Sequence, residues 1–526
     1  MIIENADDRW ALKARRAADA YRGTAPFRAA RVVINGLRLL RNALNGMATR
    51  VASAVLVDGL GLCPYAPALH SLDRKAQRLF AQLADPAFDR KRFAALGASA
   101  EDLFQRTSKR HPGRISHLQI MSNIRFRMGD TKGGLDLAAR AFTCREQRLK
   151  AKGLDKAGYR LLPTMLLART IGNLALLENY VRADILKGGK GPRLVMTIHP
   201  DSASAIVSNP CLLDYWKKYI DIVEDRNLVA RYNGADPDLF IDPHTIEIDG
   251  KVVTNPHAAR AHLQSEWEAQ GRGPLFTLDP AHEAEGWAAL ANEGISRDDW
   301  FVCLHARAAG YNGADPFRDT DPTSYLDAIR TITGRGGWVI RMGDPSMAPL
   351  PDMEHVIDYA HSPMKSDRMD VFLSASCRFF IGTSSGLYHL ADYFGRPFIM
   401  TNLLPTCAVF FGPDNLFIPK RLTDRTTGRE ITMSEMMSEP LSYMATTGEV
   451  TNVHGLAWQD NTAEELRAVV EEMLDRLDGK MAYSDQDEQR QAAFRDVARK
   501  ARTLAPFEDM PLRCRIGRDF LNSSTL

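Results

Sequence analysis

The sequence lacks several features that would each point to a particular class of protein. Its seven cysteines among 526 residues form no C-x-x-C pair, so we expect reduced thiols and neither a disulfide framework nor a zinc site. Apolar runs of about 18 residues are absent, so no transmembrane helix is expected. The acidic, polar start predicts no secretory signal peptide. These absences together predict a cytoplasmic location.

Neither an excess of one charge nor a dinucleotide fingerprint is present. Lys and Arg number 67 and Asp and Glu number 65, which argues against nucleic acid as a partner. No G-x-G-x-x-G follows the first predicted strand of either α/β half, which argues against a dinucleotide-dependent oxidoreductase. What remains is an ordinary globular composition in a chain too long for one core, so several domains are expected.

Local composition divides the chain into four parts. Residues 1–155 predict a helical N-terminal domain. Short apolar strands then alternate with helices over 156–285 and again over 286–460, a pattern typical of parallel, doubly wound sheets. Residues 461–526 predict a C-terminal helical segment that packs back. The predicted class is therefore α/β, with two Rossmann-like domains behind a helical leader.

Residues 27–62 form a basic amphipathic stretch within that leader. Apolar residues recur every three to four positions, arginines lie between them, and no acidic residue precedes Asp58. One interpretation is a helix that packs on the protein and shows its arginines to water. The alternative is peripheral contact with the inner face of an anionic membrane.

The stretch 378–406 predicts a strand, a loop of small residues, a helix and a second strand, which is the core of a βαβ unit. The helix is predicted to begin within the loop, where free N–H groups and hydroxyls suit an anion such as a diphosphate. Helix N-capping is a compatible alternative. The loop residues are Gly382, Thr383, Ser384, Ser385 and Gly386.

Arginines at predicted strand ends are candidates for binding the same anion. Arg307 follows the predicted strand 300–304 and Arg341 ends the next one; a guanidinium forks onto phosphate oxygens. The alternative for Arg307 is an ordinary surface arginine. Asp344, after Gly343, is predicted to accept hydrogen bonds from a ribose or base, with a structural turn as its rival.

Proton transfer would need a general base, and the sequence offers several candidates. Asp319 and Asp321 lie in a loop after a strand end, and His305 lies near Arg307. If the strand extends that far, alternation places His305 and Arg307 on one face. Glu178 is a weaker candidate. Solvated loop carboxylates are the alternative for both aspartates.

Two blocks of residues resemble known glycosyltransferases. Residues 382–391 (GTSSGLYHLA) are similar to the D-T/S-G-L-x-H-L-A signature with which heptosyltransferase-like GT-B enzymes grip a sugar-nucleotide donor. Residues 303–360 resemble a bacterial GT-B family found with surface-polysaccharide genes. The H-x-R element at 305–307 also resembles the fucosyltransferase-like branch, in which the Arg contacts the donor diphosphate. The resemblance covers residues 300–420 well and 160–225 weakly.

The resemblance implies a GT-B-like fold with the acceptor in the first Rossmann-like domain and the nucleotide-sugar donor in the second. It implies transfer of the sugar to a glycan, glycolipid or protein acceptor, inverting and without a metal or other cofactor. Gly172 and Asn173 are the predicted acceptor-side residues. The D-x-D spacing of Asp236 and Asp238 is discounted as a turn. The predicted donor-binding residues are Arg307, Tyr311, Arg318, Arg341, Gly343, Asp344, Thr383, Ser384, Ser385, Gly386 and His389.

Two other functions stay open. The chain could transfer a different group from a phosphate-bearing donor. It could also be a non-catalytic nucleotide-sugar-binding or scaffolding protein of a polysaccharide assembly complex, with its helical leader as the interaction surface.

Overall fold

A computed structural model describes residues 66–526 apart from 86, 111–112, 309–315, 409–411, 501–506 and 508–511. The amphipathic stretch 27–62 and Tyr311 lie outside the described residues. Within the described ranges, no helix is long and apolar enough to cross a membrane.

Four helices precede the first sheet and share a small core of their own. Leu79, Ala100 and Ile124 are completely buried in it. Asp130 begins the last helix by accepting a hydrogen bond from the Gly133 N–H. The helices are Ala66–Ala84, Arg90–Arg110, Ile115–Arg127 and Thr131–Ala151.

The first sheet has three parallel strands in the order β1-β2-β3. They are β1 (Tyr159–Leu161), β2 (Arg193–Thr197) and β3 (Asp221–Val223). An antiparallel hairpin of β4 (Ile246–Ile248) and β5 (Lys251–Val253) follows. The associated helices are Thr164–Leu167, Ile171–Leu174, Leu177–Leu186, Ala203–Ile206, Pro210–Trp216 and Arg226–Asn233.

Two predictions for this region were wrong in their boundaries. The apolar run 161–167 predicts a strand, but β1 ends at Leu161 because Pro163 has no N–H to donate and a short helix follows. The pattern over 212–223 predicts a helix, but the helix ends at Trp216 and the last three residues form β3.

Two helices, Pro256–Ala269 and Pro280–Asn292, connect the sheets. Asn255 and Asp279 each accept hydrogen bonds from two N–H groups of the first turn, and proline occupies the first helical position.

The second sheet has seven parallel strands in the order β14-β11-β10-β9-β6-β7-β8. Its strands are mostly apolar and, apart from the edge strand β8, largely buried, as expected when helices cover both faces. The chain runs outward from β6 to β8 and then returns to the other side of β6. The sheet therefore has a topological switch point between β6 and β9. The strands are β6 (Phe301–His305), β7 (Trp338–Arg341), β8 (Val356–Ile357), β9 (Phe379–Gly382), β10 (Phe398–Leu403), β11 (Leu416–Pro419) and β14 (Arg515–Ile516).

The remaining elements pack around this sheet. β12 (Arg421–Asp424) and β13 (Leu456–Gln459) form an antiparallel pair. The amphipathic pattern over 462–477 predicts a helix, which the structure has as Ala463–Leu477, with a capping box between Thr462 and Glu465. The other helices are Leu326–Gly334, Asp367–Ser376, Tyr388–Tyr393, Met433–Met437, Asp485–Lys500 and Arg518–Ser523.

The C-terminal segment completes the second sheet. β14 pairs in parallel with β11, so part of the segment predicted to be helical is a strand of the second sheet. Arg513 also forms an ion pair with Glu268 of the connecting helix Pro256–Ala269. The mixed α/β class is confirmed, with a seven-stranded parallel sheet as its largest element.

Candidate functional site

The carboxyl ends of β6 and β9 lie side by side at the switch point. His305 at the end of β6 is in register with Gly382 at the end of β9. A Cβ atom on Gly382 would lie 2.3 Å from the His305 carbonyl oxygen, so glycine is required for this approach. The Thr383 N–H donates to the same carbonyl at 3.1 Å. In open α/β sheets, ligands bind in the crevice outside such strand ends.

Thr383 joins the two loops that leave these strands. Its side chain is buried, and its hydroxyl oxygen accepts a hydrogen bond from the Arg307 N–H at 3.1 Å. β6 ends at His305, so the alternation that would put His305 and Arg307 on one face does not continue to Arg307. Thr383 therefore sets the position of the Arg307 backbone.

One cationic side chain, that of Arg318, contacts the loop after β9, and two others bind Asp319, the residue that follows Arg318 in sequence. The Arg307 Nε donates to Asp319 Oδ1 at 3.3 Å, and an Arg318 Nη donates to the Ser384 carbonyl at 2.9 Å. Lys420, after β11, donates to the Asp319 carbonyl at 3.4 Å and pairs with Asp460. Arg318 thus brings positive charge to the loop, while carboxylates pair with Arg307 and Lys420.

The serine hydroxyls of this loop are not used as helix caps. The helix begins at Tyr388 and not within the loop as predicted, and its N-cap is Leu387, which makes no side-chain hydrogen bond. The Ser385 Oγ is buried and has no hydrogen-bond partner among the described residues. Since an unsatisfied buried hydroxyl costs about 1–3 kcal/mol, this atom suits a ligand oxygen.

The loop after β9 meets the first α/β region at a glycine pair. A Cβ on Gly386 would lie 2.6 Å from the Gly172 nitrogen, so the predicted acceptor-side turn and donor loop are in direct contact. The Asn173 side-chain amide donates to the Leu166 carbonyl at 2.8 Å, which holds this turn in shape. The structure thus brings together residues predicted for opposite sides of a cleft.

Glu178, the weaker candidate base, lies in a buried ion cluster. Its carboxylate accepts from Arg182 Nε at 2.7 Å and lies 2.9 Å from Arg260 Nε, and Arg260 also pairs with Asp392. Burial acts to raise the pKa of Glu178, but the charges of Arg260 and Arg182 outweigh it and leave the pKa lowered. Glu178 is a structural anion here.

The two predicted histidines are buried and neutral near pH 7. Burial, helped by the charges of Arg341 and Arg307, lowers the pKa of His305 to about 3. Burial also lowers the pKa of His389 well below its ordinary value, and its ring packs on Tyr388 with centroids 4.0 Å apart. Since a general base works best with a pKa near the operating pH, His305 is a poor base.

Three predicted residues, Arg341, Asp344 and Asp321, have structural partners that account for them. Arg341 is completely buried and donates to Asp358 and to the Ala348 carbonyl, each at 2.9 Å, so it supports the loop after β7 and is not an exposed phosphate ligand. Asp344 accepts from the Ser346 N–H, which is the structural turn considered as its rival. Gly343 precedes it at φ +155°. Asp321 is exposed and caps the turn at Thr323.

Sequence reasoning missed three polar residues beside the crevice. Lys420 follows β11 with no exposed side-chain surface, and Asp460 pairs with it. Asn402 lies near the end of β10 at φ +50°; its N–H donates to the Asn461 side-chain oxygen at 2.6 Å, and its own side-chain oxygen accepts from the Asn461 N–H at 2.7 Å. The sequence did contain a signal for Lys420 and Asn402, because each is a polar residue at or just after the end of an apolar strand. Ligands of parallel α/β sheets bind at such strand ends.

Acidic groups with metal-like spacing lie elsewhere. Asp236 and Asp238 bind Lys152 at 2.8 and 2.6 Å, consistent with a structural turn. Among the described residues, one group of three has ligand atoms within 4.8 Å of one another, namely Asp249, His262 and Glu266 on the β4–β5 hairpin and the following helix. Neither set belongs to the switch-point loops.

No protein-family model matches the chain, and no curated protein matches it. Solved structures with low similarity include a family 9 glycosyltransferase from Veillonella parvula DSM 2008, with 12% identity over 46% of this chain and 81% of that one, at a TM-score of 0.31. They also include the iron-containing dodecameric glycosyltransferase TibC from enterotoxigenic E. coli H10407, with 16% identity over 62% of this chain and 77% of that one, at a TM-score of 0.32. TibC in complex with ADP-D-beta-D-heptose has 16% identity over 61% of this chain and 76% of that one, at a TM-score of 0.30. Likeness of this strength assigns no function to the chain.

Proposed function

We propose that this chain is a glycosyltransferase that binds a nucleotide-sugar at the carboxyl ends of β6 and β9. The observation that supports this most is that the Arg307 N–H donates to Thr383 and the Arg318 side chain donates to the Ser384 carbonyl, at the switch point of a seven-stranded parallel sheet. Arginine forks onto phosphate oxygens without losing its own charge. The buried, unpartnered Ser385 hydroxyl adds a donor for a diphosphate.

In the proposed reaction, an acceptor hydroxyl attacks the anomeric carbon of the donor sugar. The bond from that carbon to the diphosphate oxygen breaks, and the nucleoside diphosphate leaves with the electron pair. Arg307 and Arg318 stabilise the charge that develops on the leaving group, because fixed donors in a preorganised site need little reorganisation. We propose that the transfer is inverting and needs no metal.

Asp319 is the proposed base that takes the acceptor proton. His305 is a poor base because its pKa is about 3, and Asp321 caps a turn. The Asp319 carboxylate lies 3.3 Å from Arg307, next to the proposed diphosphate site. Phosphate binding to Arg307 would release this carboxylate for the acceptor. The acceptor is a glycan, a lipid-linked sugar or a protein, held on the Gly172 side.

The test is nucleotide binding by wild type and by Arg307→Ala. A nucleoside diphosphate at about 100 times its dissociation constant should stabilise the wild type by about 2.7 kcal/mol in a thermal-shift screen of UDP, GDP, ADP and dTDP. Arg307→Ala should lose that stabilisation. The control is Arg330→Ala, which removes an exposed arginine of the same domain and should retain the full shift. Full transferase activity in Arg307→Ala would refute the proposal.

One observation favours the non-catalytic alternative. Each predicted base has another role in the structure: His305 is buried and neutral, Asp321 is a cap, and Asp319 is paired with Arg307. Asp319→Asn separates the two functions. If Asp319 is the general base, Asp319→Asn should lower turnover by about 100-fold or more and leave nucleotide affinity nearly unchanged. The matched control Asp321→Asn should keep turnover. If wild type binds nucleotide but neither it nor either variant transfers sugar, the binding-protein function is favoured.

A further inference from the structure

An arginine-lined cavity of about 400 Å³ opens at the edge of the second sheet. Four of its lining residues are arginines, and an aromatic ring and a backbone loop complete the wall. No carboxylate is among the described residues that line it. The residues that matter here are Arg476, Arg495, Arg513, Arg515 and Tyr483.

This cavity lies at the amino ends of the strands. Arg515 begins β14 and is in register with Leu416, the first residue of β11. Pro413, in the loop before β11, also lines the cavity. Since all seven strands are parallel, the amino ends form the edge opposite to His305 and Gly382. The cavity is therefore distinct from the proposed donor crevice.

Neighbouring groups hold three of the arginines in place. Arg515 is 8% exposed, donates to Glu488 at 2.7 Å and lies over the Tyr483 ring at 3.4 Å. Arg476 donates to the Tyr483 hydroxyl at 3.3 Å and to the Pro413 carbonyl at 2.8 Å. Arg513 pairs with Glu268. The carboxylates thus lie behind the arginines and fix their positions.

Two buried guanidinium nitrogens lack a hydrogen-bond acceptor. The Nε atoms of Arg495 and Arg515 are buried and make no hydrogen bond to any described residue; that of Arg515 lies 3.9 Å from Glu472. A buried donor without an acceptor carries a free-energy cost, and both of these guanidinium groups line the cavity. Fixed arginines with unused donors are the usual recognition elements for phosphate groups.

We propose that this cavity is a second anion site that binds a phosphate-bearing small molecule. A volume of about 400 Å³ falls within the range of small-molecule sites, so the cavity has room for a diphosphate and part of an organic group. The ring of Tyr483 offers that group an apolar surface beside the arginines. The site would respond to a ligand that never enters the donor crevice.

The probe is inorganic pyrophosphate, measured by isothermal titration calorimetry at constant ionic strength on the full chain. Measurements in the Arg307→Ala background separate this cavity from the donor crevice. Arg495→Gln and Arg476→Gln in that background should each weaken pyrophosphate binding by at least about tenfold, since each removes charged hydrogen bonds. Arg499→Gln, one helical turn after Arg495 and exposed, is the matched control and should bind as the background does.

Three outcomes would overturn the proposal. In the first, the Arg307→Ala background binds no pyrophosphate. In the second, Arg495→Gln and Arg476→Gln both bind pyrophosphate as tightly as Arg499→Gln does. In the third, all three glutamine variants lose affinity equally, which indicates general charge attraction. Unchanged melting temperatures without ligand establish that the variants fold. Failure here leaves the donor-site proposal intact, because nucleotide binding that depends on Arg307 is measured separately.

Discussion

Burial determines the charge state of the histidines beside the crevice. His305 is 5% exposed, and burial and the nearby arginines lower its pKa to about 3. The proton that His305 would bind in the unfolded chain, where the pKa of histidine is about 6.5, is therefore excluded from the folded one. The ring is thus uncharged near pH 7 and contributes no positive charge to the proposed diphosphate site.

This difference predicts acid sensitivity. The pKa of His305 is lower in the folded protein than in the unfolded chain. The protein therefore keeps its full stability above the unfolded pKa of about 6.5 and loses stability as the pH falls toward the folded pKa of about 3. Between pH 7 and 5, His305 alone should lower the free energy of unfolding by about 2 kcal/mol. Urea unfolding of wild type and His305→Gln at both pH values measures this term.

The pH-dependent loss should be smaller in His305→Gln by about that amount. His244→Gln is the control, because it removes a half-exposed histidine that lies outside the candidate site. An equal loss in wild type and His305→Gln would contradict the assignment, even if the variant were less stable at every pH.

At the scale of elements, two loops from different sheets meet without side chains between them. Gly386, after β9, and Gly172, in the helix Ile171–Leu174, are in backbone contact. The contact brings the first α/β region against the proposed phosphate loop. Movement of one loop must therefore displace the other.

Gly386→Ala should push these loops apart. Its Cβ would lie 2.6 Å from the Gly172 nitrogen and 3.2 Å from the Gly172 Cα, and backbone atoms cannot rotate away as a flexible side chain does. We expect a loss of about 1–3 kcal/mol of stability, as for other overpacked sites. Nucleotide-induced stabilisation should also fall.

Gly273→Ala is the matched control, since a Cβ there meets no atom within 4 Å. Its unfolding free energy should change by less than about 0.5 kcal/mol. Urea unfolding and the nucleotide thermal shift check both variants. Wild-type behaviour of Gly386→Ala in both measurements would show that the loops have room to separate.

The positions of secondary-structure elements could be predicted from the sequence where the apolar pattern is strong and confined to a short stretch. β6, β7, β9 and the helix Ala463–Leu477 were placed within one or two residues, because continuous apolar runs and a capping box define them. β3 and β14 were missed, since strands of three and two residues carry too little pattern.

The candidate site could be predicted only in part. The loops at 305–307 and 382–386 were found because small residues and arginine follow apolar strands. Two features were beyond the sequence: the burial of Arg341 with Asp358, and the approach of Lys420 to Asp319. Both depend on long-range packing, which adjacency along the chain does not encode.

At the scale of the whole molecule, the four N-terminal helices contact both α/β regions. Lys152 pairs with Asp236 and Asp238 beside the first sheet. Arg127 pairs with Glu449 at 2.8 Å in the second region. The helices therefore connect the two regions that flank the proposed cleft, and their stability is coupled to both.

Glu449→Gln should weaken this connection. Glu449 is 6% exposed, and its carboxylate accepts from Arg127 as well as from the N–H groups of Ala445 and Thr446. Glutamine keeps one oxygen acceptor and loses the charge, so we expect a loss of about 1.5–3 kcal/mol, typical of charged hydrogen bonds. Calorimetry should then show the N-terminal helices unfolding before the rest of the protein.

Glu430→Gln, which removes an exposed partner of Arg421, is the control and should lower the free energy of unfolding by less than about 1 kcal/mol. A single unshifted transition in Glu449→Gln would mean that apolar contacts alone hold the helices in place.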